Sequence, residues 1–441
     1  MCELQISSSD SLHLFESSQY LAEQSQGLNF LIKHNIREIN LNGFDNAKYL
    51  FDLSVASLLK LQILHIKNCS GLQHIIDIGE EYESKNWDAI FPNLKSLSVF
   101  CCKKLKYMIG QYPLDNKNYK EIHLHFPTLE KLYLDYLPNF ISICATDSPS
   151  MAWPSLKKLD YSGCSQLVNI STSGKVVLIL LIISYYFFFF DVDSLFFTFY
   201  ISALQDAIWV QNHFLTLQTL RMVNAKVEAI FCLNGHQTMG QQVNLKLEKM
   251  HLQNLPKMDN IWEATKNTFT LKHLQSLEII GCEKLEVIFP QSVLRCLPEL
   301  NTLEVRECKE LRHIIEEDLE DKKLSNPLSP QPCFPKLTTL IVEQCHKLKY
   351  LTFVSASNDF PNLEFLVING ATELLQFNET GKTQVELPEL KLLIFIHLSK
   401  FCQETQFLNV EHRIVRNCPK LSFTSTTTLD KIKQKFGFLG K

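Results

Sequence analysis

The sequence has no excess of charge of one sign: 43 Lys and Arg stand against 47 Asp and Glu over 441 residues, a net of −4. A nearly neutral chain raises no global field to draw in nucleic acid or acidic lipid, so any partner must be selected by a local patch. No secretory signal is expected either. Met1-Cys2-Glu3-Leu4-Gln5 is acidic and polar where a signal needs a basic stretch followed by an apolar run, and a cytoplasmic location is expected. The fourteen cysteines contain no CxxC and no CxxC…HxxxH arrangement, which removes the usual zinc spacings. Spread over a long chain, they are expected to be reduced thiols rather than a disulfide framework. No GxSxG, Rossmann or HExxH pattern occurs, and none of the fourteen histidines stands in a Ser/His/Asp or Cys/His setting. The expectation is a non-enzyme with no catalytic residue, cofactor or metal.

What the sequence does contain is an internal repeat, LxxLxLxxCxxLxxI. It runs through Leu61, Leu64, Ile66, Cys69, Leu72 and Ile75, then Leu94, Leu97, Val99, Cys102, Leu105 and Met108, and later Leu300, Leu303, Val305, Cys308, Leu311 and Ile314. Copies with Cys164, Cys282 and Cys345 follow the same spacing, and others put Leu or Ala at that place, as at Leu137, Leu255 and Ala371. Alternate apolar residues in LxL turn one strand face into a core while the residue between them points to solvent. One such strand cannot bury its face alone, and stacked copies can. The fold expected is an α/β repeat, a right-handed leucine-rich-repeat solenoid or horseshoe over residues 36–423, with a parallel sheet on its concave face. Strand centres about 26 residues apart, such as Leu277 and Leu303, fit that class. Cys69, Cys102, Cys164, Cys282, Cys308, Cys345 and Cys418 are expected in buried turns, where a small side chain with a weak donor fits.

Two stretches interrupt the pattern. Residues 316–330 (EEDLEDKKLSNPLSP) read as a polar outer loop. Residues 176–205 are aromatic and aliphatic without the repeat. Their first apolar run is about fifteen residues, short of the roughly 20 that span a bilayer, and Asp191 and Asp193 stop it. The preferred reading is a translated intron, since Lys175-Val176 and Leu204-Gln205-Asp206 can be encoded with splice-donor GT and splice-acceptor AG. Removing the segment brings the strand centres Leu159 and Leu220 to an ordinary repeat spacing. A membrane association enters only if 176–204 is a real span. The expected organisation is an N-terminal segment 1–35, repeats 36–175, the insert 176–205, repeats 206–423 and a tail 424–441.

The phrases FPNLKSLSVFCCKKLKYMI, LEKMHLQNLPKMDNIW, LQSLEIIGCEKLEVIFP and LPELNTLEVRECKELRHII, with Phe-Pro or Leu-Pro ahead of the strand, resemble the C-terminal repeats of plant intracellular immune receptors. These are the coiled-coil, nucleotide-binding, leucine-rich-repeat disease-resistance proteins. The resemblance implies a scaffold that binds a pathogen effector, a guarded host protein or a nucleotide-binding domain. It departs from the family in lacking GxxxxGK[ST], so a nucleotide-driven switch is not expected of this chain. A repeat-only adaptor outside immunity, or a non-functional receptor fragment, are the alternative readings. Residues around the LxL leucines cannot reach the core and line the concave face, through which a partner is expected to bind. The partner-binding candidates are therefore Lys249, His251, Gln253, Glu278, Thr302, Glu304, Arg306, Ile341 and Glu343, a mixed-charge strip that suits a protein and not nucleic acid.

Overall fold

The computed structural model describes residues 5–7, 11–15, 36–56, 59–77, 90–110, 123–144, 150–152, 154–166, 207–209, 216–227, 229–232, 243–263, 269–290, 297–316, 334–352, 360–378, 387–402, 410–422, 424–428 and 430–432. The insert at 176–205 and nearly all of the polar loop at 316–330 lie outside them. The chain divides into two compact units, residues 1–227 and 228–441.

In the first unit the long sheet contains β1 (Gln5–Ser7), β2 (Ser11–Phe15), β3 (Glu38–Asn42), β4 (Ile63–Lys67), β5 (Ser96–Phe100), β6 (Lys131–Asp135), β7 (Lys158–Ser162) and β8 (Thr219–Val223). Each pairs with the next in chain order, antiparallel for β1 with β2 and parallel thereafter. The sheet thus begins ahead of the first repeat legible in the sequence, with Leu12 in register with Ile39 and Leu14 with Leu41. In the second unit the parallel series is β9 (Lys249–Gln253), β10 (Ser276–Ile280), β11 (Thr302–Arg306), β12 (Thr339–Glu343), β13 (Phe365–Asn369), β14 (Leu392–Ile396) and β15 (His412–Arg416). Both units are leucine-rich-repeat stacks.

The register explains the repeat. Leu64 lies beside Leu97 and Ile66 beside Val99, and Leu277, Leu303 and Leu340 form a similar row, all 0–1% exposed. The strand ends where the next residue takes positive φ, as at Asn68, Cys101, Tyr136 and Gly163 in the first unit and Asn254, Gly281, Glu307, Gln344 and Gly370 in the second. That residue's N–H still continues the ladder, Asn68 donating to the Phe100 carbonyl at 3.0 Å and Gly281 to that of Arg306 at 2.9 Å. Asn and Gly tolerate the left-handed region; Tyr136 and Glu307 hold it at a cost of about 1 kcal/mol or more each.

Next comes the cysteine. The CxxL spacing is a β-turn in which the N–H of Leu72 bonds the carbonyl of Cys69, Leu105 that of Cys102, and Leu311 that of Cys308, at 3.2–3.3 Å. Both ends of the turn are buried, so the sequence needs a small residue and then a leucine three positions on. Each thiol donates back to the carbonyl two residues earlier, Cys308 to Arg306 at 3.4 Å and Cys69 to Lys67 at 3.4 Å. Burial pushes the thiols of Cys164 and Cys282 up to about 12. They remain protonated and act as packing groups. Of the seven cysteines expected in turns, six are buried and Cys418, after β15, is half-buried.

Among the described residues most return limbs contain a short strand, and one helical turn, Leu53–Ala56, lies ahead of Ile63–Lys67. His74–Asp77, Tyr107–Ile109 and Ser142–Cys144 pair in parallel in the first unit, as do Val287–Pro290, His313–Glu316, Tyr350–Thr352 and Gln376–Asn378 in the second. Apolar limb residues such as Ile75, Ile76, Ile288, Phe289, Ile314 and Ile315 are buried and of types that favour strand. The Phe-Pro pairs complete the circuit: the carbonyl of Phe91 accepts from Leu94 and that of Phe334 from Leu337, with proline at the second position of the turn. Their rings line up along each unit: Phe91 is tilted against Phe126 at 6.5 Å, and Phe334 stacks on Phe360 at 5.8 Å while meeting Phe289 of a return strand edge-on at 5.7 Å.

Candidate functional site

On the outer face of β9 to β12 the strand register sets the free side chains in rows. His251, Glu278, Glu304 and Ile341 occupy the position between the core leucines, and Gln253, Ile280, Arg306 and Glu343 the position after them. Lys249 and Thr302 lie in the row before, with Ser276 between them in register. Eight of the nine candidates read from the sequence are exposed or half-buried and share this surface.

Within it the charges organise one another. His251 meets Glu278 through Nδ1 and Oε2 at 2.5 Å and Gln253 through Nε2 and Oε1 at 3.2 Å. Arg306 pairs with Glu304 on its own strand and with Glu343 across the sheet, Nε to Oε2 at 3.0 Å. Burial lifts the Glu304 carboxyl above its ordinary range; Arg306 opposes that rise, and Glu278 and Glu343 add to it. Three carboxylates therefore crowd one guanidinium and one imidazole. Such a cluster is suited to a cationic side chain brought by a partner, which would relieve the repulsion among the acids.

Ile341 is the correction. The pattern places it on the open face, yet it is only 5% exposed. It joins Val367, Leu392, Ile394 and Ile414 in an apolar cluster closed by Ile432 of the C-terminal tail. The strand period gave its direction rightly and could not foresee a cover supplied from far along the chain.

The first unit carries a surface that the sequence reading passed over. A groove of about 490 Å³ is lined by Asn40, Asn42, His65, Lys67, Phe100, Cys101, Asp135 and Tyr136, with buried Leu41 at its base. Tyr136, at 65% exposure, is the exposed large aromatic among the described residues. Beside it, the Lys158 ammonium lies 4.9 Å from the centre of the Tyr133 ring. The signal available in the sequence was aromatic residues at free strand positions, Tyr133 in Leu132-Tyr133-Leu134 and Phe100 just after Val99.

Among the described residues no group of three His, Cys, Asp or Glu side chains is placed to hold a metal ion. Among them, too, no helix is long and apolar enough to cross a membrane.

Residues 200–309 match the family described as plant disease resistance protein RPS2-like, leucine-rich repeats. That stretch contains β9, β10 and β11, and so most of the charged strip. It is similar to the repeat region of resistance-type proteins, and the match does not extend to coiled-coil or nucleotide-binding parts. No curated protein matches the chain. Among solved structures, the crystal structure of the TLR13-ssRNA13 complex aligns with 90% of this chain and 61% of that one, at 13% identity and a TM-score of 0.21. The chain therefore spans under two thirds of that protein, and the similarity is too slight to inform function.

Proposed function

We propose that the chain is the recognition scaffold of a disease-resistance-type protein, acting in the cytoplasm and binding a protein through the concave face of its repeats, the free side of strands β9 to β12. The partner is a pathogen effector, a guarded host protein or a nucleotide-binding domain supplied in trans. The observation that carries the reading is the in-register strip of Lys249, His251, Glu278, Glu304, Arg306 and Glu343, held by cross-strand ion pairs on a rigid sheet. Such side chains can change without unfolding the stack, because the leucines on either side carry the core. The similarity of residues 200–309 to resistance-protein repeats supports placing that recognition in defence. Three carboxylates in one strip favour a basic protein segment and disfavour nucleic acid, whose phosphates need a basic surface.

Replacing Lys249, His251, Glu278, Glu304, Arg306 and Glu343 together by alanine should abolish recovery of the co-precipitating partner from plant tissue. Far-UV circular dichroism of the same variant should stay unchanged. Undiminished partner recovery would refute the assignment to this face.

A further inference from the structure

The outer face of the second unit changes character along the sheet. The row between the core leucines reads His251, Glu278, Glu304, Ile341, Val367, Ile394, Ile414, polar in its first three strands and aliphatic in its last four. The core does not require this. Leu340, Val342, Leu366, Ile368, Leu393 and Phe395 already fill the inner face of β12 to β14. Four aliphatic side chains in a line on the opposite face form a contiguous apolar patch, which a soluble protein covers or uses.

Among the described residues, the side chain that the chain's own tail adds to this patch is Ile432. Residues 430–432 form a helical turn, and Ile432, 1% exposed, closes the cluster, while Phe365 and Ile396 pack against its margin and stay partly open. The tail is led there by hydrogen bonds to the edge strand β15. Thr426 exchanges bonds with the backbone of Arg413, its N–H donating at 2.9 Å and its hydroxyl accepting at 3.0 Å, and the Ser425 hydroxyl bonds the N–H and carbonyl of Val415 at 2.8 and 3.0 Å. These bonds are exposed, so water can replace them when the tail lifts. The polar strip begins on the very next strand, because Ile341 lies in register with Glu304.

We infer that the apolar row Ile341, Val367, Ile394 and Ile414 is a docking site whose resident occupant is the chain's own tail, residues 424–428 and 430–432, anchored by Ile432. A partner extending along the face from the polar strip meets that segment and must displace it. The tail then sets a threshold on binding. Its role in regulating recognition rests on the concave-face reading above, whereas the occupancy rests on the cluster itself.

The test uses a fluorescent synthetic peptide with the sequence of residues 424–441, followed by anisotropy with full-length protein. The wild type, its site filled, should bind weakly. Ile432→Asp, which cannot seat its own segment, should bind the peptide at least tenfold more tightly, and Val367→Asp added to it should remove that binding. Ile432→Ala gives the same order with a smaller gain, should the aspartate variant fail to fold. Equal binding by wild type and both Ile432 variants, or no binding by any of them, would overturn the inference. If peptide binding follows the expected order while alanine substitution of the polar strip leaves partner recovery intact, the strip assignment fails and the occupancy stands.

Discussion

Leu303 and Glu304 are neighbours in β11 that face opposite ways, and replacing each tests the register on which everything else depends. Leu303 is fully buried, flanked in register by Leu277 and Leu340. Truncation to alanine loses the transfer energy of the removed carbons and leaves a cavity between two neighbouring repeats, about 2–5 kcal/mol in comparable cores. Aspartate adds an unpaired buried carboxylate and costs several kcal/mol more. Glu304→Ala removes an acid that burial already disfavours, and Arg306 keeps Glu343 at 3.0 Å, so the change should stay within about 0.5 kcal/mol of neutral. Urea unfolding gives the global difference. Hydrogen exchange of β10 and β12 locates it, because a repeat stack loses stability first in the units that touch the defect. Equal destabilisation by Leu303→Ala and Glu304→Ala, or a loss for Leu303→Ala below about 1 kcal/mol, would refute the register.

Three further outcomes follow from the same geometry. Glu304 has a folded pKa above its unfolded value, so its contribution to stability is complete below the ordinary carboxylate value of 4.5 and is lost as pH rises through the higher folded value. A pH series of unfolding midpoints should therefore be flatter for Glu304→Gln than for wild type across that range, and identical slopes would contradict the burial argument. Native-state alkylation read by mass spectrometry should modify exposed Cys402 well ahead of Cys164 and Cys282, whose thiols are buried and pushed up to about 12; comparable rates would show that the turns are open. The fully buried Tyr161 hydroxyl has no hydrogen-bond partner among the described residues, so Tyr161→Phe should be neutral or stabilising by about 1 kcal/mol, and a clear loss of stability would reveal a partner for it.

How much of this was legible depends on how local each determinant is. The LxL alternation and the CxxL turn are decided within a few residues, and the inner rows from Leu64 to Leu393 lie where the period put them. The positive-φ position after each strand was only half visible. Asn68, Gly163 and Gly281 advertise it, whereas Tyr136, Glu307 and Gln344 hide it behind side chains that no turn prefers. The strand on the return limb was hidden by length, since Ile75-Ile76 fits a buried strand and a buried helical turn equally. The burial of Ile341 was beyond any local pattern, because it comes from a cluster assembled with Val367, Leu392 and Ile394 of later strands and extended to Ile414 and Ile432. Asking which side chains the core leaves free places eight of the nine candidate positions at the surface, whereas the first unit's groove escapes that question because the candidates come from the central and C-terminal repeats alone.

The most direct test of the central claim places a photo-crosslinking amino acid at single positions of the full-length protein in plant tissue. Glu278 and Glu343 would sample the outer face of the second unit, and His313 and Tyr350 its return limb. Positions Glu278 and Glu343 should give covalent adducts with one partner protein, and His313 and Tyr350 none. Adducts confined to His313 and Tyr350 would contradict it.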